Sequence, residues 1–214
     1  MHYKILPIAI VLLTCGTNLC AMDLQKPFIK KRWIQELSEV HPNLTAIRSL
    51  AEQGADVNVP GTVTMYNQIL LTLTPHILSA HAIIVAAKRN DWNLLTLLLS
   101  KGANPNVVSE FPDDRYYTPL HFAVDKRAIE AVKALITAKA DIDAVVGEHH
   151  WTPLRMAMQH RYNEHEHYVG LQEVDKQIIT LLLRAGAKTY MTDISGTTDA
   201  SYAQEHEIDL SALR

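Results

Sequence analysis

Cysteine is almost missing from this chain. Of 214 residues only Cys15 and Cys20 are cysteines, both close to the first residue. No disulfide and no cysteine-based metal site can therefore be built from the residues that follow them. Membrane-length apolar runs are missing as well: Ile5–Leu13 is nine residues broken by Pro7, against the roughly 20 a spanning helix needs. Charge of one sign is not in excess either. A formal net charge of −3 gives no global attraction to nucleic acid or to acidic membranes. The chain holds no phosphate loop, dinucleotide fingerprint, GxSxG or HExxH. Glycine and proline are sparse, at eight and nine, and most of them stand where one periodic segment ends and the next begins.

What is present is organised around Tyr116 to Asp143, YYTPLHFAVDKRAIEAVKALITAKADID. The stretch predicts a short helix from Pro119, a polar turn at Asp125–Arg127 and a second helix to about Ala138. Ala128, Ile129, Val132, Leu135 and Ile136 recur at three- and four-residue spacing and make one apolar stripe. Two helices this short cannot cover that stripe themselves, so they require copies on either side.

Thr118-Pro119-Leu120-His121-Phe122-Ala123 resembles the TPLHxA signature of ankyrin repeats, and Lys139-Ala140-Asp141-Ile142-Asp143 resembles their closing GADVN. Further closers are Gly54-Ala55-Asp56-Val57-Asn58, Gly102-Ala103-Asn104-Pro105-Asn106 and Gly186-Ala187-Lys188. A second clear opener is Thr152-Pro153-Leu154-Arg155-Met156-Ala157, and a partial one is Thr198-Asp199-Ala200-Ser201-Tyr202-Ala203. Openers fall at 33, 81, 118, 152 and 198, against a family period of about 33 residues. The resemblance implies an all-α solenoid of stacked helix-turn-helix units over residues 33–214, with insertions near 59–80 and 162–174.

The N-terminus reads as a secretory signal: Lys4, the apolar run, then Leu19-Cys20-Ala21 as cleavage site. Residues 1–21 would leave, and both cysteines with them. The rival is a lipoprotein box, Leu12-Leu13-Thr14-Cys15, with Cys15 acylated. Lys26, Lys30, Lys31 and Arg32 lie in a lead-in at 22–32 and read as a solvated cluster; the sharper reading is an anion or phosphate site.

In chain order, the expected helices are Pro27–Val40, stopped by Pro42, and Leu44–Gln53, capped by Gly54. After them comes a long finger, Val59–Ala80, with an apolar centre Ile69–Leu73. That centre either packs back or docks a partner. His81–Arg89 pairs with Trp92–Ser100, and the fourth unit resumes at Asp175–Ala185 after its insertion. Lys139 stands at a left-handed cap where glycine is usual, a conformation that disfavours a side chain.

Two stretches carry candidate chemistry. By the resemblance, His121 is structural, its ring bonding neighbouring loop backbone; as a lone histidine it has no partner in sequence that would make it a base. The run His160-Arg161-Tyr162-Asn163-Glu164-His165-Glu166-His167 interleaves imidazoles and carboxylates and could bind zinc, which makes a metal-binding protein or metalloenzyme the alternative function. The resemblance itself implies a non-enzymatic module that binds another protein, with no cofactor, no nucleic acid, no membrane insertion once the signal is removed, and a monomeric state. Exported as expected, it would be a bacterial periplasmic or secreted, host-directed protein. Its groove would be lined by Tyr117 and Trp151 from the loops and Lys88, Arg89, Asp125, Lys126, Gln159 and His160 from the helices.

Overall fold

The computed structural model describes residues 18–39, 42–65, 76–110, 116–147, 149–159 and 171–213. Helix pairs recur along them. α1 (Asn18–Leu37) precedes α2 (Leu44–Glu52), α3 (Ala82–Lys88) precedes α4 (Trp92–Ser100), and α5 (Pro119–Asp125) precedes α6 (Ile129–Thr137). α7 (Pro153–Gln159) and α8 (Glu173–Arg184) form the fourth pair, and α9 (Asp199–Glu205) stands alone at the end. α3, α5, α7 and α9 pack on one another in sequence, and α2, α4, α6 and α8 form the second layer. This is the all-α solenoid that the repeats imply.

Helices of seven residues are too short to hold themselves in water, so each depends on its caps and on burial. Thr118 and Thr152 accept from the backbone of His121 and Arg155 at 3.4 and 3.0 Å, and Thr198 accepts from Ser201 at 3.0 Å. Pro119 and Pro153 open α5 and α7, where a missing N–H costs nothing. Leu120, Ala123, Val132 and Leu135 are fully buried, as the stripe requires. Each second helix from α2 to α8 ends in a left-handed residue: Gly54, Gly102, Lys139 and Gly186, with φ of 89°, 84°, 65° and 98°. The next amide then reaches back five residues, as in Ala55 to Leu50 and Ala140 to Leu135, at 3.0 and 2.9 Å.

Boundaries differ from expectation in two places. α1 starts at Asn18 and ends at Leu37, so Pro27 lies inside it and Pro42 is not its stop. The end is set instead by the chain that comes back over it: a Cβ on Gly61 would sit 2.5 Å from Leu37 Cβ and 2.8 Å from Ser38 N. Trp33 Nε1 donates to Val59 O at 2.8 Å beside this contact. α8 starts at Glu173 rather than Asp175, because Asp175 accepts from the Gln172 amide at 3.0 Å and so marks Gln172 as the cap.

The loops between units share one construction. The seventh residue after each left-handed cap pairs with the residue before the next opener: Gly61 with Ala80, Ser109 with Tyr117, Val146 with Trp151 and Asp193 with Thr197. The first loop carries this pairing further, as an antiparallel hairpin of β1 (Gly61–Met65) and β2 (His76–Ala80). The long finger therefore adds two strands to a helical stack, while its apolar centre Ile69–Leu73 lies outside the described residues. At the base of the fingers runs a side-chain ladder. Asn58 Oδ1 accepts from Asn104 N, Asn106 Oδ1 from Asp141 N and Asp143 Oδ1 from Lys188 N, at 2.7, 2.7 and 2.8 Å.

Candidate functional site

His121 is fully buried at the start of α5, with Nδ1 2.8 Å from Thr118 Oγ1 and Nε2 3.3 Å from Trp151 O. A neutral ring with its proton on Nε2 satisfies both contacts. Burial pulls its pKa down to about 4, against the opposing pull of the Trp151 and Ala144 carbonyls. With both nitrogens occupied and no solvent access, the ring joins two units and is not presented to a substrate.

In the next unit the same place is held by Arg155, only 2% exposed. Its guanidinium donates to Asp199 Oδ1 at 2.9 Å, Asp193 Oδ2 at 3.1 Å and Thr197 O at 2.8 Å. It also lies 4.2 Å above the Tyr202 ring. Thr152 Oγ1 donates to the second oxygen of Asp199 at 2.9 Å. Burial raises the Asp199 carboxyl above its ordinary value although Arg155 and Thr152 pull the other way. Desolvation pushes Asp193 upward, but bonds from Ser195 and Thr197 and the nearby Arg155 together hold it below the usual carboxylate range. This network ties the last half-unit to the stack. Its only trace in the sequence is a pair of departures, arginine for the histidine of one opener and aspartate for the proline of the next.

The residues expected to line a groove are distributed as follows. Lys88 and Arg89 are exposed at the end of α3. Asp125, the last residue of α5, and Lys126 are exposed and pair with each other at 3.1 Å. Gln159, the last residue of α7, is half-buried, and His160 lies outside the described residues. Tyr117 is half-buried, stacked on His121 at 5.7 Å and edge-on to Phe122 at 5.5 Å. Trp151 is half-buried and stacks on His149 at 5.2 Å. The structure links the two aromatics through His121, which touches the ring of one and the carbonyl of the other.

One row of side chains was missed by sequence reasoning. Val108, Tyr116, Val145 and Ile194 are 43–61% exposed on successive fingers. Val108 and Val145 each lie two residues past a ladder residue, Asn106 and Asp143. Tyr116 and His150 both stand two residues before an opener, at φ of 60° and 55°. Ile194 N donates to His149 O at 3.4 Å, which joins the last two fingers. Counting register from the closers would have found the two valines; the outward turn of Tyr116 follows from backbone geometry that sequence does not show.

A family model described as ankyrin repeats, in three copies, matches residues 83–193, more than half of the chain. The chain belongs to the ankyrin repeat family. The match starts in α3 and ends at Asp193, so it takes in the second, third and fourth helix pairs and the exposed row as far as Val145, stopping one residue before Ile194. Ankyrin repeat domains are generally non-catalytic interaction modules with protein partners. Among the described residues no group of three or more His, Cys, Asp or Glu is placed to hold a metal. The His160–His167 run lies outside the described residues, which therefore do not bear on it. Among the described residues, too, no helix is long and apolar enough to cross a membrane.

Proposed function

We propose that this ankyrin protein is a non-enzymatic module that grips another protein along its fingers and the adjoining ends of the first helices. The observation that carries the reading is the exposure of Val108 and Tyr116 on one finger, Val145 on the next and Ile194 on the last, with the two valines at the same register. Apolar side chains aligned across a surface mark a docking site more often than scattered ones do. Beside them Tyr117, Trp151, Lys88, Arg89, Asp125, Lys126, Gln159 and His160 supply aromatic and charged contacts, and tyrosine, tryptophan and arginine are the usual anchors of an interface. The module acts as a monomer without a cofactor.

Two paired variants test the surface against a captured partner. Tyr116→Ser with Val145→Ser should lower affinity about tenfold, which is ~1.4 kcal/mol, with melting unchanged because both side chains face water. Tyr117→Ala with Trp151→Ala should lower it by about 2 kcal/mol or more. Wild-type affinity in both pairs would remove the fingers from the interface.

Export belongs to the same reading. It is supported by Lys4, the run Ile5–Leu13 and the small residue Ala21, and it makes the protein a bacterial periplasmic or secreted one. A cut after Ala21 would remove only Asn18–Ala21 from α1 and leave its buried anchors Ile29, Trp33 and Leu37 in place. N-terminal sequencing of the exported form should begin at Met22; a retained Met1 would exclude the cut.

A further inference from the structure

α1 has two unlike faces from Lys26 onward. Ile29, Trp33 and Leu37, four residues apart, are buried against the stack, where α1 packs on α2 and β1. Phe28, Lys31, Arg32 and Gln35, spaced three and four apart, form the opposite face and are exposed, with Lys30 exposed beside them. Phe28 is 65% exposed, an apolar ring standing in water among cations. Arg32 meets Glu36 at 3.9 Å, while among the described residues neither Lys30 nor Lys31 has an acidic partner. The face is the one opposite the side of α1 that packs on α2 and β1.

We infer that this face of α1 docks peripherally on an anionic bilayer surface, with Lys30, Lys31 and Arg32 among the lipid phosphates and Phe28 at the headgroup level. From Phe28 to Arg32 the charges of the face are all basic, with Glu36 and Glu39 only beyond its C-terminal end, which favours an anionic occupant. The exposed ring selects a lipid surface over an acidic polypeptide, because an aromatic flanked by lysines gains from the headgroup boundary what it cannot gain from a carboxylate. Each basic side chain near such a surface adds about fivefold to partitioning, ~1 kcal/mol. Three of them, with one phenylalanine, give a reversible attachment and no insertion, which agrees with the absence of a spanning helix among the described residues. The basic residues follow Ala21, so the face survives removal of the leader. Docking there would leave the fingers free to hold a protein partner.

The test is co-sedimentation of the full chain with vesicles of phosphatidylcholine alone and with about one-third phosphatidylserine. Neutral vesicles report whatever the N-terminal apolar run contributes, so the readout is the ratio between the two. That ratio should be about 25-fold, about fivefold from each of Lys30 and Lys31 with Arg32 offset by Glu36. It should collapse in high salt as screening shortens below about 8 Å. Lys30→Glu with Lys31→Glu should bring it to about one, and Lys30→Gln with Lys31→Gln should lower it without charge reversal. Phe28→Ala should weaken attachment to both vesicles. Equal partitioning of the wild type, or an unchanged ratio in both lysine pairs, overturns the inference. So does binding to polyglutamate in preference to phosphatidylserine vesicles. The salt dependence of the wild type decides the matter even if a variant fails to fold.

Discussion

Arg155 Nε lies 2.9 Å from Asp199 Oδ1, and both side chains are 2% exposed. They stand at the two places where adjacent openers depart from the Thr-Pro-Leu-His pattern, and each departure answers the other. A buried cation needs the anion, and the anion can sit at the first position of α9 because a carboxylate there also faces the helix N-terminus.

Breaking that pair from one side should be costly. Arg155→Ala leaves Asp199 buried without its cation and should destabilise the chain by about 3–5 kcal/mol in urea melts. Restoring the family pattern at both places, with Arg155→His and Asp199→Pro together, should cost far less than either single change. A double variant as unstable as Arg155→Ala would show that the network is not an exchange for the standard opener.

The stack should respond to a cavity in its centre. Leu135 is fully buried on α6, and Leu135→Ala should cost roughly 2–5 kcal/mol. Because neighbouring units share their interfaces, the loss should spread to amide protection in the adjacent pairs. A loss well under 1 kcal/mol would contradict the packing.

Lys139 holds φ of 65° at the end of α6, where Gly54, Gly102 and Gly186 end the equivalent helices. Lys139→Gly should therefore stabilise by up to about 1 kcal/mol, and Gly102→Ala should destabilise by a similar amount. Thermal melts of the two variants should move in opposite directions.

Acid should weaken the third unit through His121. Its folded pKa of about 4 lies below the ordinary 6.5, so its contribution is complete above 6.5 and is lost as pH falls toward 4. The slope approaches 1.4 kcal/mol per pH unit, for roughly 3 kcal/mol in all. His81, also lowered by burial, acts in the same direction. Asp199, raised by burial, acts in the opposite one at lower pH, since its protonation relieves a penalty. His121→Gln should flatten the change in urea midpoint between pH 7 and pH 5; an equal slope in the variant would remove His121 as its source.

The repeat frame, the helix pairs and their buried stripes were legible in the sequence by itself. Leu120, Val132 and Leu135, the threonine caps and the closing glycines act within a few residues of themselves, so their spacing states their role. The structural part of His121 was legible too, through the resemblance of its opener. Other features were decided by tertiary structure, because their causes lie tens of residues away. Asp199 is a surface-type residue until Arg155 is placed beneath it. Leu37 ends α1 because Gly61 returns over it, not because of Pro42. Tyr117 and Trp151 are half-buried because their rings rest on His121, Phe122 and His149, while Val108, Tyr116 and Val145 are left outward by the pairing that closes each finger. Periodicity records which face of a helix avoids water, but the neighbour that meets a loop is set only when the units stack.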